Sequence, residues 1–229
     1  MEFSEETQIF LVAEYYRVLT EGFGSRGEAA FRHCIRCYGI QRGSRMAQSA
    51  IRDGQQLDYV TFCRYGQWRP SKTVLRENRC SQTSVVSWNP DYVYQVSRCP
   101  WLEAFEKFQA KEAGLLYCDL LDEAINQGFN GEIPFCTVQT MQRQDRCIFS
   151  VADAGITPET DLFRIPGAVR DYDYHSADVF FTFGKVCQGI FAEEGKQAAR
   201  QVMESFTAHY GREMGEHLQS FAGQDFSLN

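Results

Sequence analysis

Histidine is scarce in this chain, four among 229 residues, and so are tryptophan, at three, and proline, at six. Metal binding and acid–base chemistry therefore have few imidazoles to draw on. Positive charge is in deficit as well: 23 Lys and Arg stand against 30 Asp and Glu, a net charge of −7. A non-specific nucleic-acid binder needs a basic face to neutralise phosphate, so that class is excluded. No run of 18 apolar residues occurs, hence no membrane-spanning helix is expected. The opening MEFSEETQIF is acidic where a secretory leader would be basic and then apolar, which predicts a cytoplasmic protein. Also missing are a Gly-rich phosphate loop, a Walker pattern, Gly-x-Ser-x-Gly and a dinucleotide fingerprint, so ATP, NAD and serine-hydrolase chemistry lose their usual support.

What is present fits a globular protein, 44% hydrophobic and 23% charged. Nine cysteines are many, but their number is odd and their spacing irregular. In a reducing compartment they read as free thiols rather than a disulfide framework. The length suits a single domain over 1–229, with a helical part over 1–80, a two-hairpin core over 81–152, and a long loop with two closing helices over 153–229.

Hydrophobic spacing predicts a first helix from Glu5 or Glu6 to Glu21, capped by Ser4 and stopped by Gly22 and Gly24. A second long helix is expected from Gly27 to Asp53. On it Gly39, Gly43, Ala47 and Ala50 form a small-residue edge for close packing, inside the protein or across a dimer. A short helix and a loop fill 57–80. Alternating stretches Ser84–Trp88 and Tyr92–Arg98, then Glu132–Met141 and Arg146–Val151, read as two hairpins around a helix from Trp101 to Gln127 closed by Gly128. The expected fold class is α+β: a four-stranded antiparallel sheet from two hairpins, packed with long helices before, between and after them. A long loop follows from Asp153 to His175, then helices over Ala177–Phe191 and Gly195–Phe221. One internal echo recurs at a shift of 168: Phe23, Gly27, Ala30 and Arg32 return as Phe191, Gly195, Ala198 and Arg200, which suggests equivalent places for two long helices around the sheet.

The residues that could carry chemistry lie mostly in the centre. Cys99 ends a strand and precedes Pro100-Trp101 at a helix start; the helix dipole there favours a thiolate, although a structural thiol under a tryptophan is the plainer role. Cys118 and Asp122 are four apart on one helical face. Cys118 reads as core, and Asp122 as a boundary carboxylate whose pKa partial burial raises, a base or cation anchor. Cys147 shares an apolar strand face with Phe149 and Val151. Arg143, Asp145 and Arg146 make either a turn ion pair or a fork for a substrate carboxylate. Cys34 and Cys37 are three apart but lack a second ligand pair, and no metal site is expected. His209, Glu213 and His217 stand at steps of four, the plainer reading being a solvated edge. His175, set among Asp171, Tyr172, Asp173 and Tyr174 in the long loop, is expected to have a raised pKa and to act as an acid near neutral pH.

Taken in order, Cys99-Pro100-Trp101, Tyr117-Cys118-Asp119, Asp122-Glu123-Ala124, Gly128-Phe129-Asn130 and Asp145-Arg146-Cys147-Ile148-Phe149 form a series that resembles the bacterial L-2-amino-thiazoline-4-carboxylate hydrolase family. Phe23-Gly24 with Gly27, Tyr38-Gly39 and Arg42-Gly43 are similar to that family's amino-terminal helices; Gln144 stands where its pattern has Gly. More remotely, the series resembles 4-vinyl-reductase-type ligand-binding domains. The resemblance implies a hydrolase of carbon–nitrogen bonds in cyclic amidines, opening an isothiourea ring to a carbamoyl-cysteine on a route of cysteine biosynthesis. A small-molecule substrate, no cofactor, and a homodimer or other homo-oligomer are expected. Such a ring needs an anion for its amidinium, a cation for its carboxylate, a nucleophile and an acid. Asp122 is the candidate anion. Arg98, Arg143 or Arg146, with Trp101 beside them, are candidates to bind the substrate, Cys99, Cys147 or water to attack, and His175 to protonate. The alternative is a non-catalytic domain sensing a small ligand, a haem or a metal.

Overall fold

The computed structural model describes residues 2–229. In chain order its elements are α1 (Glu5–Phe23), α2 (Ser25–Arg52), α3 (Tyr59–Arg64), α4 (Lys72–Arg76), β1 (Gln82–Ser87), β2 (Tyr92–Arg98), α5 (Pro100–Lys107), α6 (Lys111–Asn130), β3 (Phe135–Gln139), β4 (Cys147–Val151), α7 (Tyr172–Phe191), α8 (Glu193–Tyr210) and α9 (Arg212–Gln219). The fold is α+β with one four-stranded antiparallel sheet, in the order β1-β2-β4-β3. Each hairpin pairs within itself, and β2 joins β4 with Tyr92 opposite Val151, Tyr94 opposite Phe149, and Val96 opposite Cys147.

α1 begins where the sequence places it. Ser4 N–H donates to Thr7 Oγ1 (2.7 Å), and that hydroxyl donates back to Ser4 O (2.8 Å), so two groups at the helix start are satisfied together. At Gly24 (φ 57°) the chain turns directly into α2. Gly27 must lack a side chain there, because a Cβ would stand 1.8 Å from Leu19 O. The same corner returns between α7 and α8. Ala192 turns with φ 52°, and a Cβ on Gly195 would stand 2.1 Å from Cys187 O. Phe23 and Phe191 stack across the two corners with centroids 3.9 Å apart. The echo in the sequence is therefore one helical corner used twice. The corners face each other, however, and do not flank the sheet; the helix packed on the sheet is α6, against β3.

α2 is the axis of the helical layer. Phe31, Cys34, Ile35 and Tyr38 are fully enclosed, with α1 and α7 packed against the helix. Its small edge meets α6 at very short range: a Cβ on Gly39 would lie 2.5 Å from Ala124 Cβ, and one on Gly43 2.0 Å from Ile125 O. Gly128 does not close the helix but returns the contact, since a Cβ there would be 2.2 Å from Ile40 O. The small-residue edge thus serves packing within the chain. A buried ion pair, Arg45 Nη2 to Asp178 Oδ2 at 2.6 Å, ties α2 to α7, and Arg45 also donates to Gln67 Oε1 and to the carbonyl of Phe226.

Three expectations are corrected. The helix over Trp101–Gln127 is two helices, α5 and α6, separated by Phe108–Ala110 with Gln109 at φ 53°. α5 packs on α1 and α6 on α2, and one straight rod cannot follow both. The last helix likewise breaks at Gly211 (φ 91°) into α8 and α9, which lets Met214 and Leu218 turn into the core. His209 then stacks on Phe10 (4.7 Å) while His217 Nε2 pairs with Asp173 Oδ2 (2.8 Å), so the ladder with Glu213 does not form. Finally, the long loop ends at Asp171, whose carboxylate caps α7 by accepting from Tyr174 N–H (3.0 Å), and His175 lies inside that helix.

The glycine contact sets a first prediction. Gly43→Ala drives a methyl into the backbone of α6, and urea unfolding should show a loss of about 3 kcal/mol or more. Gly22→Ala, which has open space around its Cβ, should be neutral or stabilising by about 0.5–1 kcal/mol. Equal effects at the two positions would refute the packing account.

Candidate functional site

Two apolar cores divide the molecule. The larger is helical; the smaller joins Tyr59, Tyr92, Val151 and Ile156 beneath one end of the sheet. Between them stand the central polar and thiol residues. Asp122 and Cys118 are one turn apart on α6. Cys99 follows β2 and is the N-cap residue of α5, and Cys147 opens β4, opposite Val96. Met141 N–H donates to Cys147 Sγ (3.2 Å), and the Gln142 amide lies 3.8 Å from Cys118 Sγ. Tyr94 projects from the same sheet face as Cys147, its hydroxyl 3.3 Å from that of Tyr59.

These groups act on one another electrostatically. Desolvation lifts the Asp122 carboxyl from its usual range to about 6, opposed by the positive charge of Arg42 and reinforced by Glu123. Burial pushes the Cys99 thiol up to about 12; the N–H groups of Leu102 and Trp101 pull the other way, while Cys147 and Asp122 push with it. Cys118 is held well above the thiol range by burial, then by Cys99, Asp122 and Cys147. Cys147 is raised by burial, and Asp122 adds to the effect. The helix start at Cys99 therefore does not yield a thiolate: desolvation outweighs the dipole. Asp122, Cys118, Cys99 and Tyr94 are desolvated by their depth in the molecule and yet keep accessible surface. Among the described residues no three His, Cys, Asp or Glu are grouped to hold a metal ion.

One central residue was not among the sequence candidates for chemistry. Arg42 of α2 is 6% exposed, its Nε meets no acceptor, and it forms no ion pair. Its charge bears on Asp122, Tyr38, Tyr117, Tyr172 and His175. The signal was an arginine inside a buried stripe: Tyr38, Arg42, Arg45 and Ser49 follow at helical spacing, all enclosed. Tyr94, with an ordinary strand pattern, gave no signal.

The arginines expected to fork onto a substrate are engaged at the surface. Arg98 pairs with Glu103 (3.1 Å) and donates to Asn78 O (2.8 Å). Arg143 pairs with Asp119 (2.7 Å), and Arg146 with Asp145 (2.6 Å) and Gln95. Trp101 is placed inward, its Nε1–H donating to Gln8 Oε1 (3.1 Å) and its ring set edge-on to Trp68 (5.1 Å). His175 reverses the expectation of an acid. It is 1% exposed, and burial together with Arg42, Arg45 and Arg170 pushes its pKa well below the usual value. Its Nε2 lies 3.1 Å from Gln67 O, which can only accept, so that nitrogen carries the proton and Nδ1 is left without a partner. Cys34 and Cys37 do not act together either. Cys34 touches Cys187 (Sγ–Sγ 3.9 Å) in the core, and Cys37 lies near His33.

An α+β protein results, with its candidate chemistry at the seam where helices meet the sheet. Residues 2–151 match the family described as L-2-amino-thiazoline-4-carboxylic acid hydrolase, and the chain belongs to that family. The match includes Arg42, Cys99, Cys118, Asp122 and Cys147; α7, α8 and α9 lie beyond it. No curated protein and no solved structure matches the chain.

The state of Asp122 can be read from stability. Below about pH 4 both folded and unfolded chains hold its proton; between pH 4 and 6 only the folded chain does, so stability falls as pH rises, and above 6 the penalty is constant. Residual accessibility screens it to about 1 kcal/mol. Asp122→Asn should therefore be more stable than the native protein by about that amount at pH 7.5 and equal to it at pH 4, measured by urea unfolding. A variant less stable at pH 7.5 would show a carboxylate that the fold needs.

Proposed function

We propose that this protein hydrolyses a small cyclic amidine of the 2-amino-thiazoline-4-carboxylate type, with Asp122 as its reacting carboxylate. The observation that carries the reading is the half-buried Asp122, poised at about 6 among Cys99, Cys118, Cys147 and Tyr94, in a chain of this family. At neutral pH it is ionised, a state that an amidinium favours further by pairing with it. One carboxylate oxygen holds the amidinium N–H, and the other takes a proton from an attacking water.

The water oxygen bonds to the amidine carbon and its proton passes to Asp122. Collapse of the adduct breaks a ring bond at that carbon, the departing heteroatom receives a proton, and a carbamoyl-cysteine leaves with one water consumed. Cys99 and Cys147, both protonated at neutral pH because burial raises them, serve better as walls and hydrogen-bond donors than as nucleophiles. Asp122 returns the proton it took from water to the departing heteroatom, while Tyr94, whose hydroxyl burial keeps un-ionised, donates a hydrogen bond without giving up its proton; His175 is no acid here, since it is already neutral. Trp101, two residues after Cys99 on α5, is the candidate aromatic wall for a planar cation.

Incubating the protein with L-2-amino-thiazoline-4-carboxylate and following the mass gain of one water tests the activity. The rate should rise with pH through about 6 and then level. Asp122→Asn should lower kcat by about 100-fold or more, while Cys99→Ser and Cys147→Ser each remain within about tenfold of native. Intact protein without turnover removes the reading, and loss of all activity in one of the serine variants transfers the attack to that thiol.

A further inference from the structure

We infer that Arg42 anchors a carboxylate of the ligand and makes the site select acids over uncharged or purely cationic rings. This rests on the reading above for where the reacting ring sits. Arg42 is enclosed, its Nε has no acceptor, and among the described residues no carboxylate pairs with its guanidinium; the Tyr38 hydroxyl is the one polar group against it. A guanidinium cannot shed its charge, and an uncompensated one in the interior is costly to the fold. The other arginine buried on α2, Arg45, shows the usual answer: a carboxylate at 2.6 Å, a side-chain amide and a carbonyl. Arg42 lacks all three.

Its surroundings leave the charge unpaired: the nearby buried carboxylate of Asp178 feels it but is held by Arg45. Tyr38, Tyr117 and Tyr172 are held neutral by burial. His175 is neutral, with its proton turned to Gln67 O. Glu5, buried near Tyr172, accepts from Ser71 N–H (3.1 Å) and forms no ion pair. Asp122 feels Arg42 from the opposite helix but is not paired with it. Across the α2–α6 crossing the protein thus presents a cation and an anion held apart. A ligand carrying an amidinium at one end and a carboxylate at the other complements both. A ring without the acid answers Asp122 alone.

Binding of an unreactive pair tests this without turnover. 2-Iminoimidazolidine-4-carboxylate is a cyclic guanidine that keeps both charges and resists ring opening; 2-iminoimidazolidine lacks the acid. Calorimetry on native protein should show the acid bound about 100-fold more tightly, a charge-assisted fork desolvated within the protein. Arg42→Gln should reduce that preference to about threefold or less, and Arg42→Lys, which keeps the charge but not the fork, to about tenfold. Without ligand, Arg42→Gln should melt no lower than native, because it removes an unpaired buried charge. Equal binding of the two probes, no binding of either, an undiminished preference in Arg42→Gln, or a fall in its melting temperature each overturns the inference. The outcomes are separable from those of the hydrolase reading: selective binding without ring opening defeats only the latter, and ring opening indifferent to the acid defeats only the former.

Discussion

The backbone contact between α2 and α6 is the constraint on which the rest depends. Gly39, Gly43 and Gly128 present no side chain where the two helices meet, so backbone lies close to backbone. Arg42 is the immediate neighbour of Gly43, and Asp122 lies two residues before Ala124, which meets Gly39. One contact thus stabilises the helical layer and brings a buried cation and a desolvated carboxylate into each other's field. Widening it by a methyl would disturb packing and electrostatics together.

The desolvation that sets the Asp122 carboxyl near 6 also keeps the surrounding thiols protonated. A nearby carboxylate and a low-dielectric wall both oppose a thiolate. In the proposed reaction this ordering makes the carboxylate the reacting group and leaves sulfur as a soft, neutral lining. Each of the three cysteines feels the carboxylate's charge.

Much of the fold was legible because its signals are local. Capping at Ser4, the alternation through Tyr92–Arg98 and Cys147–Val151, and the small edge of α2 each follow from neighbours within a few residues. The breaks at Gln109 and Gly211 were not, since they are set by which distant helix each segment must cover. Within the candidate site, Cys118 and Asp122 followed from helical spacing, and the raised carboxyl from a boundary position. Arg98 and Arg143 misled because their surface partners Glu103 and Asp119 are invisible in spacing, whereas Arg146 took the turn ion pair with Asp145 that the sequence offered beside the fork. His175 misled for a related reason: acidic neighbours in sequence gave way to burial, and then to arginines, in space.

The salt link between Arg45 and Asp178 bears on where this domain can be divided. The sequence shared with the family stops at the end of β4, yet α7, which lies beyond that limit, supplies the acid that neutralises a guanidinium deep in α2. A fragment trimmed to the shared stretch would retain a stranded interior cation and one bare flank of its central helix. The limit of recognisable kinship therefore falls within a packed helical core and not at its edge.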